Sequence, residues 1–176
     1  PRLASFIVEG VGEAKNRQGL FVKNETIHFF GGNRSLEQHD FEPHHFTAQG
    51  LAFHIPSLSF SELNPYPAAR QTMSTMVVGE KGYALGGFGH NGEAAVSQRE
   101  GFIYDFETGE FSPALSFETS RTQFGLAEHE GALYVFGGLN YDPAREERAF
   151  DHVRTILRAD GLDGKFEEIE AKLPGQ

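Results

Sequence analysis

The chain has no cysteine, no tryptophan and only two methionines among its 176 residues. Without cysteine, disulfides and thiolate metal sites are excluded, and neither redox environment is favoured. No apolar run approaches the ~18 residues that a membrane span needs, so no membrane partner is expected. No stretch reads as a signal peptide. The first residues are Pro1-Arg2, so an upstream part is expected. Basic charge is scarce: 15 Lys and Arg against 25 Asp and Glu leave a net charge of −10. No basic stripe of the kind a phosphate backbone needs is visible, which argues against nucleic acid as a partner. G-x-S-x-G, H-E-x-x-H and the glycine-rich phosphate loop are all missing. No cofactor is expected.

Glycine is abundant instead, at 21 residues against the usual ~7%. It does not form low-complexity sequence; six of these residues fall in three pairs, Gly31-Gly32, Gly86-Gly87 and Gly137-Gly138. Each pair closes a short apolar run: Ile27 to Phe30, Tyr83 to Leu85, and Leu133 to Phe136. The pairs lie 55 and 51 residues apart, and a period near fifty marks a sheet repeated around a ring.

Strands are expected over 3–8, then over 17–22, 26–30, 47–55 and 58–63 in a first unit. A second unit has strands over 71–78, 83–85 and 101–106, with a fourth opening at Phe111. The third has 122–127, 132–136, 152–158 and 165–169. Within 152–158, Val153, Ile156 and Leu157 also fall at helical spacing. The repeat and the hairpin residues Gly161 and Gly164 favour strand.

Other landmarks keep the same period. Phe6, Phe60, Phe111 and Phe166 are spaced 54, 51 and 55 apart, and Arg17, Arg70 and Arg121 are spaced 53 and 51 apart. Large rings can fill the wide outer space between neighbouring sheets. Arg70 and Arg121 recur with the unit and are expected to pin carbonyls or carboxylates between sheets.

The pattern resembles the kelch repeat, a four-stranded blade of a β-propeller. The apolar run before each glycine pair carries the resemblance. So does Ile103-Tyr104-Asp105, with an aromatic, Phe111, seven residues after Tyr104. The family usually has Trp at the Phe111 position. The resemblance implies an all-β propeller segment of four-stranded antiparallel blades in an incomplete ring. Blade 1 spans 17–69, blade 2 spans 70–120 and blade 3 spans 121–176, and 1–16 supplies an outer fourth strand and link. Propellers close with roughly 4–8 blades. A second chain, or a missing remainder, is therefore expected to complete the ring.

Antiparallel order puts the long connections 33–46, 88–98 and 139–150 on one rim, where function concentrates on loops held by a rigid scaffold. The resemblance places Asn33, Arg34, His90, Asn140 and Tyr141 around the central pocket, with Arg17, Gln71 and Gln123 nearer the first strand. The candidate ligand-binding set is Asn33, Arg34, Gln71, His90, Gln123, Asn140 and Tyr141, able to grip carboxylates or hydroxyls. The plainer alternative is a set of solvated residues capping turns. His39-Asp40 and His44-His45 have donors suited to a divalent metal, but at no recognised ligand spacing, so no metal is assigned. The functional expectation is a non-catalytic binding module for a protein segment or carbohydrate. The alternative is a sugar mutarotase or epimerase using Arg34, His90 and Tyr141. Copper-radical sugar oxidases share the kelch propeller, but their Tyr–Cys cross-link cannot form here.

Overall fold

The structure, a computed structural model, describes residues 15–35, 37, 39–145, 149–161 and 164–174. The strand expected around Phe6 and most of the 1–16 link lie outside the described residues.

Strands β1 (Gly19–Lys23), β2 (Thr26–Phe30), β3 (Gly50–His54) and β4 (Ser59–Leu63) form one antiparallel sheet in the order β1-β2-β3-β4. A short β5 (Arg70–Gln71) links to the second unit, with β6 (Ser74–Val78) and β7 (Lys81–Leu85). The hairpin β8 (Phe88–His90) and β9 (Ala95–Ser97) comes next, then β10 (Gly101–Asp105) and β11 (Phe111–Pro113). The third unit has β12 (Gly125–His129), β13 (Ala132–Phe136), the hairpin β14 (Leu139–Tyr141) and β15 (Phe150–His152), then β16 (Thr155–Asp160) and β17 (Glu167–Lys172). The main sheets of these two units are ordered β11-β10-β7-β6 and β12-β13-β16-β17. The fold is all-β and propeller-like, with three four-stranded antiparallel blades and no closed ring among the described residues.

Local chemistry explains the strand boundaries. The two-residue turns at Asn24-Glu25 (φ 48° and 58°) and Glu130-Gly131 (φ 51° and 79°) hold both residues left-handed, as the tight hairpin turn matching strand twist requires. Residues 155–160 are extended despite their helical spacing, because β13 pairs with β16 from Ala132↔Asp160 to Phe136↔Ile156. Tertiary pairing there outweighs a periodicity only a few residues long.

The core lies between sheets. Side chains alternate in direction along a strand, so Phe30 and Leu85 point to the following unit, while Ala84 and Val135 point to the preceding one. Phe21, Phe30, Tyr66, Met73, Ala84 and Tyr104 fill the first boundary. Leu85, Phe117, Phe124, Val135 and Leu157 fill the second, with Tyr83, Leu133 and Ala159 beside them. The inner strands are stitched across these boundaries: Thr75 Oγ1 donates to Leu20 O (2.8 Å) and Ser74 Oγ to Phe124 O (2.6 Å).

Buried arginines secure both boundaries. Arg70 Nη1 donates to Gly86 O and Glu100 O, both at 3.0 Å, and its guanidinium lies 5.7 Å from the Tyr66 ring centre. Arg121, 2% exposed, donates to Gly137 O (3.2 Å) and Thr155 Oγ1 (3.3 Å) and lies 5.0 Å from the Phe117 ring centre. Burial pushes the Arg121 guanidinium down to about 10, against the opposing charge of Glu168. Arg17 is not the first member of this series. Its equivalent is Lys15, whose Nζ donates to Gln49 Oε1 just before β3, as Arg70 reaches Glu100 just before β10. Arg17 instead matches Thr72 and Gln123.

Candidate functional site

The pairing rows Gly19–Phe30–Gly50–Leu63 and Ser74–Leu85–Gly101 lie at one rim of their sheets. The connections 33–46, 88–98 and 139–150 leave from this rim, as the antiparallel order requires. Two of them are structured hairpins rather than loops. In the second, Asn91 Oδ1 accepts the amides of Glu93 and Ala94, both at 2.9 Å, and Gly92 has φ 106°. Asn-Gly is a strong hairpin signal, present in the sequence at Asn91-Gly92.

At the centre of the rim, one backbone feature recurs. Arg17, Thr72 and Gln123 are left-handed, with φ of 56°, 52° and 54°, and each stands fourteen residues before the first glycine of its pair. Thr72 N donates to Arg17 O (2.9 Å), and the hydroxyls of Thr72 and Thr122 are 2.6 Å apart. These bonds hold the tops of the three inner strands together. Arg17 lies over the Phe41 ring, 5.8 Å from its centre, and Gln123 is exposed.

The expected ligand residues separate into two groups. Asn33, 1% exposed, has its amide nitrogen on Asp40 O (3.1 Å) and its side-chain oxygen on the Ser35 amide (2.7 Å). Asn140 donates to Ser120 O (2.6 Å) and Ser120 Oγ (2.8 Å), and Arg145 donates to its carbonyl (3.0 Å). Gln71 is buried in β5, with its side-chain oxygen unpaired among the described residues. Asn33 and Asn140 are thus engaged with the scaffold, and Gln71 is buried. Arg34 and Gln123 are exposed, and His90 and Tyr141 are partly exposed. Arg34 approaches Thr47 Oγ1 (3.4 Å), and His90 Nδ1 accepts the Gly92 amide (3.0 Å).

An aromatic chain joins the three connections. Phe41 of the first meets Phe88 at 5.0 Å between ring centres, Phe88 meets Tyr141 at 5.7 Å, and Tyr141 meets Phe150 at 4.4 Å. Phe88 is buried at its middle and Phe150 is 55% exposed at its end. The second and third hairpins are also bonded through Ser97, whose hydroxyl accepts the Tyr141 amide (2.9 Å). A cleft of about 260 Å³ lies beside them, lined by Asn91, Gln98, Arg99, Ser120, Tyr141 and Asp142. The sequence singles out the polar residues of this rim and Tyr141, but not the phenylalanines Phe41, Phe88 and Phe150 that join them.

Asp40 and His45 form a local cluster, 2.9 Å apart. Burial works to raise the Asp40 carboxyl, but hydrogen bonds from Ser35, the Glu42 amide and His45 outweigh it and hold the group below its ordinary value. His39 instead packs edge-on against Phe41. Among the described residues no three His, Asp or Glu side chains are grouped to hold a metal ion.

A larger groove of about 590 Å³ runs between the second and third blades, lined by Glu118, Arg121, His152, Arg154, Lys165 and others. It has a packing origin. At the first boundary Tyr66 meets both Phe102 and Phe111 edge-on at 5.2 Å. At the second, Phe117 stacks on Phe166 (5.0 Å) and Leu157 stands where Phe102 would. The smaller side chain leaves the wedge partly unfilled.

No family model matches the sequence, and no curated protein matches it. Among solved structures, that of a protein named YjhT shares the fold, with a TM-score of 0.69 at 14% sequence identity. The match covers 94% of this chain and 54% of that one, so this chain spans about half the length of the structure it matches. At that identity the likeness shows the fold alone.

Proposed function

We propose that the chain is part of a kelch-like propeller and acts as a non-catalytic binding module, holding a carbohydrate or a protein segment on its long-connection rim. The observation that carries this reading is the aromatic chain Phe41–Phe88–Tyr141–Phe150, which crosses all three connections. Rings at this rim offer flat apolar surface to a sugar face or an apolar side chain. Arg17 over Phe41 adds a directed donor, Arg34, His90 and Gln123 are further candidates, and an arginine can hold a carboxylate through two parallel bonds. The scaffold beneath is fixed by Asn33, Asn140 and Ser97, so the rim is held in place before any ligand arrives.

The test is a screen of glycans and peptides followed by titration of whatever binds. Arg34→Ala and Tyr141→Ala are each expected to weaken binding about tenfold or more, since a charged hydrogen bond contributes ~1.5–3 kcal/mol and ~1.4 kcal/mol is a factor of ten. Absence of any ligand, or affinity untouched by both changes, refutes the reading. Faster anomer exchange of a free sugar than in buffer would replace it with the mutarotase alternative.

A further inference from the structure

The repeat relates the two terminal faces of this chain to each other. Equivalent residues of the two inner strands lie 55 apart between the first and second units and 51 apart between the second and third. Each unit turns a leading side to the next unit and a trailing side to the one before. On the leading side stand His28 and Phe30, then Tyr83 and Leu85, then Tyr134 and Phe136. Phe30, Tyr83 and Leu85 are covered by the next unit to 1% exposure or less. Tyr134 and Phe136, which no described unit follows, are only half-buried.

The trailing sides show the reciprocal pattern. Ala84 of the second unit and Leu133 and Val135 of the third are buried. Their equivalents in the first unit, Ile27 and Phe29, are half-buried. Beside them on the same side of the sheet, Leu20 is 47% exposed and Val22 54%.

One polar feature recurs at both boundaries, and an ion pair spans the first. Gly32 N donates to Arg70 O (2.9 Å) and Gly87 N to Arg121 O (3.0 Å). Gly138 is the third member of this series, and its amide donates to no described residue. The position equivalent to Arg70 and Arg121 is Lys15, on the trailing side of the first unit. Lys23 also reaches across the first boundary to Glu80 (2.8 Å). The equivalent of Lys23 in the third unit is His129, and the equivalent of Glu80 in the first is Glu25. Both are exposed, and an imidazole N–H can donate to a carboxylate such as that of Glu25.

We propose that a second copy of this chain covers both faces. The leading side of each copy packs on the trailing side of the other, Gly138 N meets Lys15 O, and His129 faces Glu25. Two copies related by a two-fold axis then close one ring of six blades, with two identical junctions. Such head-to-tail contacts close when the rotations sum to a full turn and otherwise run on as a filament. The matched solved chain is nearly twice as long as the part this chain covers, the length of two such arcs. This inference is independent of what the rim binds.

The absence of cysteine makes the test direct. Light scattering is expected to give twice 19.5 kDa for the 176-residue chain. Glu25→Cys and His129→Cys in the same chain, mildly oxidised, are expected to give a covalent dimer and nothing larger on a denaturing gel. Either change alone is expected to give no cross-link. Val22→Asp alters an exposed residue, so circular dichroism is expected to stay unchanged while association weakens at least tenfold. A monomeric unaltered chain, a cross-linked ladder beyond two copies, or a Val22→Asp dimer as tight as the original overturns the proposal.

Discussion

Gly79 and Gly86 make a matched pair for measuring what blade-to-blade contact contributes. Their φ angles are 57° and 58°, so alanine at either position meets the same backbone penalty of about 1–2 kcal/mol. Their surroundings differ. A Cβ on Gly79 would meet nothing within 4 Å. On Gly86 it would lie 2.4 Å from Arg121 O and 2.9 Å from Phe124 Cε1. The carbonyl is main chain and cannot swing aside, so relief requires the second and third sheets to separate by about an ångström. That movement stretches the Gly87 N to Arg121 O bond from 3.0 Å, and an orphaned buried partner costs about 1–3 kcal/mol. It also thins the contacts among Leu85, Phe117, Phe124, Val135 and Leu157, where even small gaps forfeit much of the dispersion energy. Gly86→Ala is therefore expected to cost about 3–5 kcal/mol and Gly79→Ala about 1–2, a difference of roughly 2–3 kcal/mol. With urea slopes of ~1–3 kcal/mol/M the midpoints should differ by about 0.7–3 M. Urea unfolding of both variants at one protein concentration, followed by circular dichroism, measures this. Costs equal to within about 0.5 kcal/mol, a usual margin for surface changes, would refute the claim that the glycine pairs exist for close approach of neighbouring blades.

The remaining predictions concern single side chains. Burial lowers the His28 pKa, outweighing the Thr26 backbone hydrogen bond. The unfolded chain therefore binds the proton more readily, stability is lost as pH falls below about 6.5, and His28→Gln should flatten that slope in pH-dependent melting. Arg121→Met should cost about 2–3 kcal/mol through the unanswered Gly137 carbonyl, and Arg121→Lys should be no milder in urea unfolding, because a buried ammonium lacks the fork. Asn140→Ala should lower Tm by about 3–6 °C, from ~1–2 kcal/mol of lost hydrogen bonding in a chain of this size. Because its amide is already engaged, ligand affinity should move less than with Tyr141→Ala in the same titration.

The parts of the fold legible in sequence were those where backbone geometry restricts residue choice. Gly31, Gly86 and Gly137 have φ of 67°, 58° and 61°, and their followers Gly32, Gly87 and Gly138 have φ of 109°, 101° and 108°. Few side chains tolerate these values, so the period survives as letters. The left-handed series Arg17, Thr72 and Gln123 shares the same period without a shared residue type, and no pattern of letters reveals it. Lys15, Arg70 and Arg121 fall between these cases. The task at that position is to cap the residues before the third strand, and either cation can do it, so arginine alone does not mark the series.

The rim was harder to read for a related reason. Its polar residues stand out in a connection, yet burial rather than polarity decides whether a side chain is available, and burial depends on neighbours far away in sequence. Asn140 is engaged with Ser120, twenty residues earlier, and Asn33 with a turn that only its own connection defines. The rings read the opposite way. A phenylalanine in a polar stretch looks like incidental core, but Phe41, Phe88 and Phe150 come from three different units and gain a joint role only because the blades bring their connections together. Local pattern therefore identified the scaffold and the rim that carries the loops. The residues that join those loops follow from packing between repeats, and for that reason the same packing argument, carried one step past Gly138 and one step before Lys15, gives the inference about the second copy.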